Sequence, residues 1–329
     1  MNGRKQARQE GREGMWNIER WHKIVLFPRL TFLPAYSEHG RMALPGQITG
    51  ILLALVSAAC VSVTFVASKQ AMQELSPLAF TPIWFAVASF WGIGFRVLRQ
   101  GLKLPRGLKP SLGPILLLGI LNGIANLLFF TTLNLGDPTL VAFFGRSETI
   151  YSILLGAWLL GERLDGYQWL GIVIAMAGAG LMTFKAGPVV WFMLLLLLVS
   201  NFFLALSTLV AKKSIIAVQP LILSTSRTIV VSLMLGLISW TTGQLVWPGP
   251  VAWLWIIGGS FFGPFLSYAL FYKSLFYLDL SKGVVIRSTQ PLFVAGYSFI
   301  LFSTVIAPQQ FMGGVVMLIG VTLMLWERR

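Results

Sequence analysis

The chain has 329 residues, of which 56% are hydrophobic and 11% charged, with a formal net charge of +14. Too few charges are present to clothe a water-facing globule, and the basic residues fall in loops between long apolar stretches, which excludes a nucleic-acid partner in favour of membrane topology and lipid headgroups. A single cysteine, Cys60, and two histidines, His22 and His39, both ahead of the apolar region, exclude an intrachain disulfide, a cysteine metal site and buried histidine chemistry, so no metal and no cofactor is expected.

Residues 1–46 are polar and basic and read as a disordered extension. They lack the apolar run and small-residue cleavage site of a secretory leader. Met42-Ala-Leu-Pro resembles a translation start, so residues 1–41 are either an over-long beginning or a short basic segment at the membrane surface. Apolar stretches of roughly 18–24 residues then recur, each long enough to cross a bilayer core of about 30 Å as a helix. Ten are predicted, over 47–68, 77–95, 111–134, 139–160, 166–184, 188–211, 220–240, 250–272, 281–302 and 309–326. Pro77, Pro188, Pro220 and Pro250 open spans, where a missing N–H costs nothing. Helices are required because lipid offers backbone polar groups no partner.

Lys and Arg concentrate on one side of the predicted bundle. Arg96, Arg99, Lys103, Arg106 and Lys109 share one loop there, and Lys212 and Lys213 another, whereas Lys69, Glu74, Asp137 and Lys185 on the opposite side cancel. The positive-inside rule therefore places both termini in the cytoplasm, in the cell membrane.

The sequence also repeats. Ser57, Lys69, Pro77 and Leu78 recur at an offset of 143 as Ser200, Lys212, Pro220 and Leu221. Phe129, Asp137, Gly171 and Gly178 recur at an offset of 142 as Phe271, Asp279, Gly313 and Gly320. This is a tandem duplication of units 47–187 and 188–329. Each unit holds five spans, an odd number, so the second enters the membrane from the other side. The loop charges agree, with Lys69 outside and its counterpart Lys212 inside. Inverted repeats are a building plan of secondary transporters, which place their sites near the midplane.

The stretch TIYSILLGAWLLGERLDGYQWLGIVIAMAGAGLM, residues 149–182, is similar to the end of an EamA-type repeat of the drug/metabolite transporter superfamily. The triplet Gly161-Glu162-Arg163 and the small-residue helix after it carry the likeness, which extends over residues 47–326. Two departures stand out. Ser303-Thr304 replaces Gly-Glu in the second copy, and Thr149 stands where many relatives have the proline that Pro291 keeps. The resemblance implies an all-α integral membrane protein of ten transmembrane helices, arranged as two inverted five-helix repeats around a central cavity. Its implied substrates range over amino acids, nucleotide sugars, sugar phosphates and lipophilic cations.

Arg146, Glu148, Arg227 and Arg287 lie within predicted spans, where a lone charge costs about 2.5 kcal/mol or more, so they are expected to face the bundle interior. Arg146 and Glu148 are two residues apart and point to different sides, so their partners come from other helices. The offset of 142 aligns Glu148 with Gln290, making GRSE and RSTQ symmetry mates. Arg146, Glu148, Arg227, Arg287 and Gln290 are the expected substrate-binding set, with Asn126, Tyr268 and Trp84 as polar and aromatic wall. Glu148 doubles as a candidate proton-coupling site. A structural salt-bridge network is the competing use of these charges. Asn122, Asn201 and Tyr272 are either cavity groups or helix-packing glue, and Glu162 is expected to cap loop contacts near the cytoplasm.

Arginine keeps its proton and binds carboxylate or phosphate through paired hydrogen bonds. The expected activity is therefore secondary-active transport of a small organic anion or amino acid by alternating access. The alternatives are export of lipophilic or cationic drugs, and a non-transporting receptor or scaffold on the same fold. An enzyme would need a nucleophile or carboxylate cluster that the spans do not contain. No GxxxxGK[ST] loop is present for ATP hydrolysis by this chain, so a gradient or exchange must supply the energy. Small-residue faces would permit a homodimer, without a preference for one.

Overall fold

The computed structural model describes residues 44–101, 111–135, 145, 147–162, 164–183, 191–302 and 308–325. Nearly all of the predicted extension, the beginning of the fourth span and Arg146 lie outside the described residues. Every regular element among the described residues is helical: α1 Leu44–Ala71, α2 Pro77–Gln100, α3 Leu112–Leu135, α4 Ser147–Leu159, α5 Gly166–Thr183 and α6 Trp191–Ser214. There follow α7 Pro220–Thr241, α8 Pro250–Ser260, a π-helical segment Phe261–Ser267, α9 Tyr268–Tyr277, α10 Leu280–Arg287, α11 Gln290–Phe302 and α12 Pro308–Leu325.

Six described helices are long and apolar enough to cross a membrane: Gly46–Ala71, Pro77–Arg99, Leu112–Leu135, Leu195–Ser214, Pro220–Thr241 and Pro250–Tyr277. Glu148–Leu159, Gly166–Gly178 and Met312–Leu323 are apolar but shorter. The outer surface carries Leu98 at 88% and Trp247 at 80% exposure, among many exposed apolar side chains. So much outward apolar surface suits lipid and would aggregate in water.

Local sequence sets the helix boundaries. Ser76 accepts from the Ala79 amide at 3.2 Å and Pro77 opens α2, while Pro220 and Pro250 open α7 and α8. Two predicted spans are not single α-helices. The eighth contains the π segment around Gly263-Pro264, because Pro264 cannot donate and crowds the turn before it. The ninth, expected over 281–302, breaks after Arg287 and resumes at Gln290. Pro291 has no N–H for the Arg287 carbonyl. Ser288 and Thr289 meanwhile turn their hydroxyls back onto Val285 O and Ile286 O, at 2.7 and 2.8 Å.

The packing obeys the duplication. Two pairs join equivalent elements of the two copies, α2 with α7 and α5 with α12. Both run antiparallel. Ser89 Oγ meets Thr228 Oγ1 at 2.9 Å while Ser232 Oγ donates to Pro82 O at 3.0 Å, so the numbers rise in one helix as they fall in the other. In the second pair Gly178 lies against Met317 and Gly320 against Ala175. Contacts of α1 with α9 and α11 in one direction mirror those of α6 with α3 and α4 in the other. Copies related by a twofold lying across the helices make such self-pairs antiparallel, whereas a twofold along them would make the pairs parallel.

At one end of the bundle, charged groups close the turn between α9 and α10. Glu162 accepts from the Leu280 amide at 2.6 Å, the Ser281 amide at 3.0 Å and the Ser281 hydroxyl at 2.5 Å, capping the start of α10 with a carboxylate. Lys212 Nζ donates to carbonyls at the end of α9, Leu275 O at 2.6 Å and, just past the helix, Leu278 O at 2.5 Å. Glu162→Ala leaves two backbone donors without their acceptor and should lower stability by about 1–3 kcal/mol, with Glu162→Gln losing less. Thermal unfolding in detergent measures the difference, and an unchanged alanine variant would show that the cap contributes nothing.

Candidate functional site

The buried apolar side chains form two clusters. One includes Leu118, Ile153, Leu209, Phe271, Leu275 and Val284, and the other Phe80, Trp84, Phe130, Leu197 and Val231. Where they meet lies a cavity of about 90 Å³. At roughly 10–15 Å³ per water, it has room for several waters or a compact ligand group.

Six of the eight residues expected from the sequence line this cavity: Trp84, Asn126, Glu148, Tyr268, Arg287 and Gln290. Arg146 lies outside the described residues. Arg227 does not line the cavity, which corrects its expected place among the direct contacts. Its guanidinium is 0% exposed and sits one layer behind the wall, donating to Asn122 Oδ1 and, at 2.7 Å, to Pro264 O. Asn201 is in the wall, whereas Asn122 and Tyr272 are not.

The elements explain the placement. Glu148 stands in the first turn of α4, and Arg287 and Gln290 flank the break between α10 and α11, so both symmetry-mated polar segments meet the cavity at helix ends. Irregular backbone at membrane depth is tolerated where protein or a cavity supplies hydrogen bonds, and here Ser62 Oγ donates to Gln290 O at 3.1 Å. Facing the break, α9 brings Tyr268, whose ring lies 3.8 Å from the Arg227 guanidinium carbon and 4.5 Å from that of Arg287. Arg287 also lies 4.5 Å from the Phe271 ring. Aromatic faces stabilise desolvated guanidiniums by about 2 kcal/mol, which holds both cations without neutralising them. The Nε of Arg287 is buried with no hydrogen-bond partner among the described residues.

Phe65, Phe85, Phe129 and Phe130 complete an aromatic wall that sequence reasoning missed. Phenylalanine is equally at home against lipid, so only position separates the two uses. The site therefore presents an arginine and a glutamine at the break between α10 and α11, a glutamate in the first turn of α4, the two asparagines Asn126 and Asn201, and a broad aromatic side. It can hold a carboxylate at Arg287 and an apolar body against the rings.

Over 129 residues, 39% of this chain and 40% of the other, the sequence is 31% identical to the probable amino-acid metabolite efflux pump of Escherichia coli (strain K12). A 61-residue segment, 18% of this chain and 43% of the other, is 34% identical to an uncharacterized transporter in the cobO 3' region of Sinorhizobium sp. The matches thus span about two fifths of the length of these curated relatives. A crystal structure described only as that of a protein superimposes with a TM-score of 0.69, covering 85% of this chain and 97% of that one at 16% identity, a likeness of fold. The profile of the EamA-like transporter family matches residues 48–184 and 191–326.

Proposed function

Because the chain belongs to the EamA-like transporter family, a family of multi-pass membrane proteins, we propose that it is a secondary-active carrier of a small organic anion or amino acid. Arg287 grips the substrate carboxylate. The two repeats form ten membrane spans in inverted orientation and expose the cavity alternately to either side, driven by a gradient or by exchange. Both termini lie in the cytoplasm and the protein resides in the cell membrane, as the bias of Lys and Arg supports. We read it as a carrier and not an enzyme.

The observation that carries this reading is Arg287 in the cavity wall, 8% exposed, at a helix break between two aromatic faces. Its charge persists at any physiological pH, so it offers the ligand a fixed cation. The name of the Escherichia coli relative, a probable amino-acid metabolite efflux pump, is consistent with an amino-acid cargo. Export of an aromatic or lipophilic cation is the second reading, favoured by the phenylalanine wall together with Glu148.

Purified protein in sealed liposomes tests both. Accumulation of a radiolabelled amino acid or monocarboxylate, competed by other carboxylates, is the expected result. Accumulation of lipophilic cations alone would select the second reading. Ligand binding without any accumulation would leave a receptor on a transporter fold.

A further inference from the structure

Behind the cavity wall a chain of hydrogen bonds has only one polarity open to it. Arg227 carries donors and no acceptor. It donates to Asn122, so Asn122 must turn its carbonyl oxygen toward the arginine and its amide nitrogen away, and that nitrogen donates to Ser207 Oγ at 3.3 Å. The same Asn122 oxygen accepts from Asn126 Nδ2 at 2.9 Å, and the Asn122 backbone carbonyl accepts from the same nitrogen at 2.8 Å. Both hydrogens of the Asn126 amide are thereby committed, one turn along α3 from Asn122. Asn126 lines the cavity, and its remaining polar atom is Oδ1, an acceptor.

An asparagine in a cavity wall ordinarily turns either end to a ligand, because the two differ little in size. Here the buried cation, acting through Asn122 Oδ1, and the Asn122 backbone carbonyl, which can only accept, together remove that freedom. We propose that Arg227 and Asn122 are positioning residues that lock Asn126 as a hydrogen-bond acceptor, and that Asn126 Oδ1 recognises the ammonium group of a substrate whose carboxylate meets Arg287. The inference rests on the carboxylate reading of Arg287 and narrows it, since a cavity with a fixed acceptor and a fixed cation selects a zwitterion over a plain organic acid. Glu148, an acidic residue in the same wall, favours the cationic end of the ligand as well.

The test uses three probes that share one isobutyl side chain on the purified full chain: leucine, 4-methylpentanoate, which lacks the amine, and isoamylamine, which lacks the carboxylate. Binding is measured by thermal shift and by competition in liposomes. Wild type should prefer leucine to 4-methylpentanoate by about tenfold or more, the discrimination that one charge-assisted hydrogen bond provides. In Asn126→Leu that ratio should fall toward one while affinity for 4-methylpentanoate stays within about twofold of wild type, a pattern that general loss of folding does not produce. Asn126→Asp, which keeps an acceptor, should retain the preference. Arg227→Lys, still donor-only, should retain more of it than Arg227→Met, which frees Asn122 to flip. Should Arg227→Met fail to fold, the Asn126 variants still decide the matter.

Equal affinity of wild type for leucine and 4-methylpentanoate would overturn the inference and leave the carboxylate reading standing. An unchanged ratio in Asn126→Leu would do the same. Binding of isoamylamine alone, or of none of the three, would overturn both.

Discussion

Replacing Arg287 with alanine should reduce substrate affinity by about ten- to a hundredfold, the loss expected when a charge-assisted hydrogen bond of about 1.5–3 kcal/mol is removed. The protein should still extract and run as a monodisperse species. Arg287 is held by the rings of Tyr268 and Phe271, and the packing lost with it is worth only about 2 kcal/mol. Arg287→Lys keeps the charge but gives up the planar fork that meets both carboxylate oxygens, so it should fall between alanine and wild type. Uptake by the liposome-reconstituted variants, alongside size-exclusion profiles, separates a lost site from a lost fold. Wild-type uptake by Arg287→Ala would remove the residue from the substrate path.

Gly178→Ala and Gly320→Ala should each destabilise the bundle by about 1–3 kcal/mol, the usual cost of overpacking, and by similar amounts. A β-carbon at Gly178 would collide with the backbone of Met317 and the Gly313 carbonyl, and one at Gly320 with the backbone of Ala175 and the Gly171 carbonyl. No side-chain rotation relieves a clash with backbone, so α5 and α12 would have to part along their length. The two glycines are equivalent under the offset of 142, and each meets the other copy in the same way, which is why their effects should match. Gly94 is the control. It lies in a helix with nothing within 4 Å of the added carbon, and alanine there should be neutral or stabilising by about 0.4–1 kcal/mol. Thermal unfolding of the three variants in one detergent measures all of this, and a Gly178→Ala protein as stable as Gly94→Ala would refute the close seam.

Much of the architecture is legible in the sequence because the governing physics is local or repetitive. Apolar length marks helices in a membrane protein, and the recurrence of Gly171 and Gly178 as Gly313 and Gly320 marks two helices as equivalents, although only the structure shows that they meet in the α5–α12 seam. Charges in apolar surroundings are conspicuous, so the amino-acid order alone assigns Glu148 and Arg287 to the interior. Glu162, marked by its triplet, is expected to cap loop contacts, and it caps α10. What the sequence hides depends on distant partners. Whether Arg227 faces a cavity or stands behind one turns on Asn122, 105 positions away, and on the Pro264 carbonyl. The break after Arg287 has a visible cause in Pro291, but the apolar run continues through it, and length alone reads one helix. Arg146, the other charge expected in the fourth span, lies outside the described residues.

The tether from Glu162 to the start of α10 depends on a carboxylate that the second copy does not repeat, since the counterpart under the duplication is Thr304, which bears no charge. Gene doubling supplied two copies of one design, and the two now differ in sequence at this position. Any motion that swings α4 from α10 must first break three bonds to a carboxylate, and the second copy has no carboxylate at the equivalent position.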